Sequence, residues 1–128
     1  MGAGLSAPQV EPGSVHPSVP CRAQAERSYA LYLPRDYDPE QSWPVILAFD
    51  PGGYGSIPVE RLREAAERFG YIVAGSNDSR NYTSWEFQLF AAGAMWRDVA
   101  TRFSIDPKRV YTTGFSGGAR VATEVALR

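Results

Sequence analysis

Pro44-Val45-Ile46-Leu47-Ala48-Phe49 is a continuous apolar run that ends at Asp50. A strand with one wet face alternates polar and apolar side chains, whereas an unbroken apolar strand needs cover on both faces. The chain must therefore supply helices to both sides of a sheet. No apolar run is longer than a strand, so nothing here is expected to span a membrane.

The segments around this run fit that demand. Ser28-Tyr29-Ala30-Leu31-Tyr32-Leu33 alternates and is stopped by Pro34, which predicts a half-buried strand. After the loop Asp50-Pro51-Gly52-Gly53-Tyr54-Gly55-Ser56, residues Val59, Leu62, Ala65, Ala66 and Phe69 fall at helical spacing, and Gly70 is placed to end that helix. Tyr71 to Ser76 reads as a strand. Thr83 and Glu86 have capping-box spacing, ahead of a stripe of Leu89, Ala92, Trp96, Val99, Ala100 and Phe103. Arg109 to Phe115 is another strand, and Gly117 to Arg128 begins a further helix. The alternation predicts an α/β fold, a mostly parallel sheet with right-handed crossovers and helices on both faces. Ligands bind such sheets at the carboxyl ends of the strands, so three loops qualify: after Phe49, after Ser76, and the turn at Ser116.

Residues 1–25 are rich in Pro, Gly, Ser and Ala and read as an arm ahead of a domain over 26–128. Within the arm, Gly13 to Val19 has the makings of a strand able to pair with a neighbour. The arm lacks the basic and apolar regions of a signal peptide, which leaves a cytoplasmic protein or a mature exported one. Across 128 residues, 13 Lys and Arg face 14 Asp and Glu. That balance gives no electrostatic footprint for nucleic acid. Cys21 and His16 are each the sole residue of their type, so neither an intrachain disulfide nor a Cys- or His-based metal cluster is expected.

Gly114-Phe115-Ser116-Gly117-Gly118 fits G-x-S-x-G and stands between a strand and a helix. In that setting the serine occupies a sharp turn that lifts its hydroxyl above the sheet. Gly114 and Gly118 fit because strand and helix cross there too closely for a Cβ. The plainer alternative is a Gly-rich turn whose serine caps the helix.

Asp106-Pro107-Lys108-Arg109-Val110-Tyr111 leading into Gly114-Phe115-Ser116-Gly117-Gly118-Ala119 resembles the α/β-hydrolase superfamily. Within it the chain is similar to polyhydroxybutyrate depolymerases, feruloyl esterases and dienelactone-hydrolase-like esterases. The resemblance runs from Tyr29 to the last residue and covers the N-terminal half of such a domain. It implies carboxylic-ester hydrolysis through an acyl-enzyme, with a small-molecule or polymer-derived ester as partner and no cofactor. Ser116 would be the nucleophile and the Gly117 amide one oxyanion donor. The second donor would come from Gly52, Gly53 or Tyr54. Asp50-Pro51 stands where His-Gly is common in this loop, and Pro51 has no N–H to give. Tyr54, Tyr82 and Trp85 lie on active-edge loops and would line a substrate pocket, or equally cover the core from outside.

The triad is incomplete. Its order in this fold is Ser, then Asp or Glu, then His, yet after Ser116 only Glu124 offers a carboxylate and no histidine follows. His16 lies in the arm, Asp98 reads as a polar position on the long helix, and Asp78 as a residue near the cleft rim. Two other readings stand beside the esterase: a hydrolase-like interaction module without catalysis, and a nucleotide-binding domain. The last rests on Gly53-Tyr54-Gly55-Ser56-Ile57-Pro58, which nearly fits G-x-G-x-x-G but has Pro58 for the third glycine.

Overall fold

The structure, a computed structural model, describes residues 10–114 and 116–126. Its elements are β1 (Val15–Pro20), β2 (Ser28–Tyr32), β3 (Trp43–Phe49), α1 (Ser56–Phe69), β4 (Ile72–Ser76), α2 (Trp85–Arg102), β5 (Ile105–Gly114) and α3 (Gly117–Ala126). The strands form one mixed sheet in the order β1-β2-β4-β3-β5. Strands β3, β4 and β5 run parallel, and β1 and β2 are antiparallel to their neighbours. Phe115 and the last two residues of the expected third helix lie outside the described residues.

The continuous apolar run is β3, and both its faces are covered. Val45, Leu47 and Phe49 face a core built with Met95 and Val99 of α2 and Val121 of α3. Ile46 faces the opposite side, where Val59, Leu62 and Ala66 of α1 pack with Ala30, Tyr32 and Val73. Each large side chain so buried contributes about 1.5–3 kcal/mol. The same two layers correct the expectation for β2. It is buried on both faces rather than half-buried, because β4 and β1 flank it while helices cover Tyr29 and Leu31 on one side and Tyr32 on the other. The expected strand piece in the arm is present as β1, paired with β2.

Helix α1 ends as its sequence predicts: Gly70 adopts φ +75° and its amide donates to the Ala66 carbonyl at 2.9 Å. Its apolar face is narrower than expected. Phe69 lies about 60° round the helix from Ala66 and faces solvent, with the Arg68 guanidinium over its ring, and Ala65 is exposed as well. Helix α2 begins one residue later than the capping-box spacing suggests. Ser84, not Thr83, is the N-cap and accepts from the Phe87 amide at 3.0 Å. Thr83 instead donates its hydroxyl back to the Arg80 carbonyl.

Asp98 departs most from expectation. It is buried on α2, where it accepts from the Arg22 amide at 3.0 Å and from the Tyr29 hydroxyl, and pairs with Arg102 at 3.1 Å. Burial pushes its carboxyl up, but the Arg22 amide, the Tyr29 hydroxyl and the two guanidiniums outweigh it and hold the group below the usual range. Burial and the neighbouring Asp98 charge push the Cys21 thiol up to about 11, which keeps it an inert core residue.

Candidate active site

Strands β3, β4 and β5 are parallel, so Phe49, Ser76 and Gly114 end at one edge of the sheet. Helix α1 leaves β3 on one face, and α2 leaves β4 on the other, which opens a crevice at that edge. Ser116 stands there, exposed, at φ +54°. A left-handed backbone at a residue other than Gly costs about 1 kcal/mol or more and persists only where the surroundings impose it.

The surroundings are two crossing backbones. A Cβ on Gly118 would lie 2.1 Å from the Phe49 carbonyl oxygen, and one on Gly114 would lie 2.2 Å from the Gly118 carbonyl oxygen. Both distances are impossible for a real side chain. The turn into α3 therefore sits directly on the end of β3, and Ser116 is the residue lifted clear. The Ser116 carbonyl accepts from the Ala119 amide at 2.9 Å, which closes the first turn.

The loop after β4 joins this turn to the loop after β3. The Asn81 amide donates to the Pro51 carbonyl at 2.7 Å, and the Asn81 side chain fills the space where a Cβ of Gly117 would stand. Asn77 holds the same loops from the other end. Its Oδ1 accepts from the Gly55 amide at 3.0 Å, while its Nδ2 donates to the Pro17 carbonyl and to Ser28 Oγ. Sequence reasoning missed both asparagines, because nothing in a lone Asn after a strand shows which loop it will bridge.

The three candidate donors in the loop after β3 are all engaged. Asp50 Oδ2 accepts from the Gly52 amide at 2.8 Å and from the Tyr54 amide at 3.1 Å, and the Gly53 amide donates to the Asp50 carbonyl at 3.1 Å. Gly53 is in the left-handed region at φ +78°. The Asp50 carboxylate thus closes this turn by taking up two of its amides.

Ser116 opens on a cleft of about 430 Å³ lined by Asn81, Tyr82, Trp85, Gln88, Gly117 and Arg120, among others. The Arg120 guanidinium lies over the Trp85 ring, 4.9 Å from its centroid. Tyr82 and Trp85 therefore line the same cleft as Ser116, whereas Tyr54 projects into solvent and lines no part of it. His16 sits on β1, at the opposite edge of the sheet, and donates from Nε2 to the Glu11 carbonyl. Asp78 accepts from the Ser28 amide at 2.8 Å, and Glu124 lies well along α3. Among the described residues no cluster of three or more His, Cys, Asp or Glu is gathered to hold a metal, and no helix is long and apolar enough to cross a membrane.

At the sequence level, no protein-family model and no curated protein matches the chain. Solved structures do match its fold. An esterase from the hyperthermophilic archaeon Pyrobaculum calidifontis superposes with a TM-score of 0.66 at 18% identity, over 91% of this chain and 39% of that one. A poly(3-hydroxybutyrate) depolymerase from Bordetella parapertussis gives 0.63 at 17% identity, over 84% and 45%. An acetyl xylan esterase from Aspergillus awamori gives 0.63 at 18%, over 85% and 45%. The chain spans about two-fifths of the length of these structures, and its fold is a partial α/β-hydrolase fold, consistent with the N-terminal portion.

Proposed function

We propose that the chain is the nucleophile-bearing half of a serine carboxylic-ester hydrolase. The observation that carries this reading is Ser116, held at φ +54° at the carboxyl edge of the sheet by backbone crossings that only glycine permits. A structural turn has no need to lift a serine out over a cleft at such a cost.

In this reading Ser116 Oγ attacks the ester carbonyl carbon while a base takes its proton. The carbonyl π electrons move to oxygen, which the Gly117 amide and an amide of the Gly52–Tyr54 loop stabilise. The C–O bond to the alcohol then breaks, the alcohol leaves with the proton, and water releases the acid from the acyl-enzyme by the same route in reverse. The reading requires a base and an orienting carboxylate, which the described residues do not bring to Ser116. A serine without an adjacent base is a weak nucleophile.

Ser116→Ala in the protein extended to a whole domain tests this. The variant folds, and both ester turnover and labelling by a fluorophosphonate disappear, with turnover down by several orders of magnitude because nucleophile and base act as one unit. An alanine variant that still labels and turns over refutes the assignment. A second reading, a non-catalytic hydrolase-like module, is favoured by one observation: the Asp50 carboxylate occupies the loop amides that an oxyanion would need.

A further inference from the structure

The cleft beside Ser116 carries a charge that ester hydrolysis alone does not require. Of the residues lining it, Arg120 is the one with a charge; Asn81, Tyr82, Thr83, Trp85, Gln88 and Ser116 are neutral. Among the described residues no carboxylate lines the space. Arg120 stands four residues after Ser116, about 6 Å further along the axis of α3. Its guanidinium is stacked over Trp85 at 4.9 Å. A guanidinium held over an aromatic ring still has N–H donors to offer for the two-pronged bond that a carboxylate accepts. The aromatic ring also restricts a long side chain that would otherwise lose more freedom on binding an anion.

Building on the hydrolase reading, we propose that Arg120, seated on Trp85, makes this site selective for esters that carry a free carboxylate a few carbons from the scissile bond. The shared chemistry is a planar anion that reaches Arg120 while the ester carbonyl lies at Ser116. It can sit on the acyl part, as in a monoester of a dicarboxylic acid, or on the alcohol part. Neutral polar groups elsewhere in the cleft supply hydrogen bonds without competing for the charge.

The protein extended to a whole domain is assayed on p-nitrophenyl hydrogen glutarate against p-nitrophenyl pentanoate, and on 4-carboxyphenyl butyrate against phenyl butyrate. One anionic ester is favoured over its neutral counterpart by about tenfold in kcat/KM, the range of one charge-assisted bond at a partly exposed site. Arg120→Gln removes that preference and Arg120→Lys restores part of it. A binding readout runs alongside in the Ser116→Ala protein, where glutarate quenches tryptophan fluorescence. Trp85→Phe removes the signal and Arg120→Gln removes the binding. Serine-dependent hydrolysis with no anionic preference in either pair overturns this inference and leaves the hydrolase reading standing. Glutarate binding that needs Arg120, in a protein that hydrolyses no ester, refutes the hydrolase instead and leaves an anion site. Absence of glutarate binding counts against the inference whatever the turnover.

Discussion

Asp50 folds its carboxylate back onto the amide of Gly52, at 2.8 Å, with the Tyr54 amide on the same oxygen. The two amides converge because Gly53 turns the chain through the left-handed region. An oxyanion forming at Ser116 would compete with this internal carboxylate for the same donors. A neutral acceptor competes less, since bonds to a charged acceptor are roughly twice as strong. Asp50→Asn therefore raises kcat/KM for a neutral ester several-fold, while Asp50→Ala, which removes the acceptor that shapes the turn, lowers it. Steady-state kinetics on the two variants check this. A fall for Asp50→Asn as deep as that for Ser116→Ala would mean the carboxylate itself is required.

Ser116 is strained for the sake of its position, and relieving the strain exposes that. Ser116→Gly accepts φ +54° without a Cβ penalty and stabilises the protein by about 1 kcal/mol, partly offset by the greater freedom of glycine when unfolded. Ser116→Ala keeps the Cβ and leaves stability unchanged. Denaturant midpoints of both variants decide it: equal stability of glycine and alanine would show that the turn carries no strain.

The sequence made some of this visible and hid the rest, for identifiable reasons. β3 was legible because an apolar run with cover on both faces is a local pattern, and the turn at Ser116 because Gly-x-Ser-x-Gly is one too, although the contact that requires Gly118 comes from distant Phe49. The end of α1 was legible from Gly70 alone. Asp98 was not, since its partners Arg22, in the loop after β1, and Tyr29, on β2, lie 76 and 69 residues away. Nor were Asn77 and Asn81, whose value lies in loops brought together only by the parallel sheet. The engagement of the Gly52 and Tyr54 amides by Asp50 depends on a side-chain rotamer, which no periodicity encodes.

Gly118 tests the crossing that lifts the serine. Alanine there would press its methyl to 2.1 Å from the Phe49 carbonyl, a backbone atom with nowhere to move. The turn must shift off β3, at a cost of about 1–3 kcal/mol, the usual range for overpacking, and ester turnover falls further than stability because Ser116 moves with it. Thermal unfolding beside kinetics measures both. Unchanged turnover in Gly118→Ala would separate the crossing from the site.

Asp98 gives the pH dependence. Its folded carboxyl lies below its ordinary range, so its contribution is fully present above the unfolded value of about 4 and is lost as pH falls through the folded one. Asp98→Ala leaves the Tyr29 hydroxyl without its acceptor and Arg102 without its carboxylate partner, though still bonded to the Pro20 carbonyl, and costs about 3–5 kcal/mol at pH 7. Urea unfolding from pH 2 to 7 shows the wild type losing stability below about pH 4 more steeply than the variant. Parallel curves for the two proteins would assign the acid loss to other carboxylates.

By themselves, the 128 residues hydrolyse no ester at a rate that depends on Ser116. The one imidazole, His16, is on β1 and the serine follows β5, with β2, β4 and β3 between them. Four strand spacings make that separation about 19 Å, far outside hydrogen-bond reach. β5 is also an edge of the sheet, with Tyr111 exposed and its ring against Tyr71. An unpaired edge next to apolar surface invites association between chains. The 128-residue chain therefore sediments as oligomers, and a version extended past Arg128 sediments as a smaller, active species. Sedimentation velocity and a short-chain p-nitrophenyl ester assay on both proteins provide the comparison. Turnover by the 128-residue chain equal to that of the extended protein, and abolished by Ser116→Ala, would place the base within this chain and require His16 to leave β1.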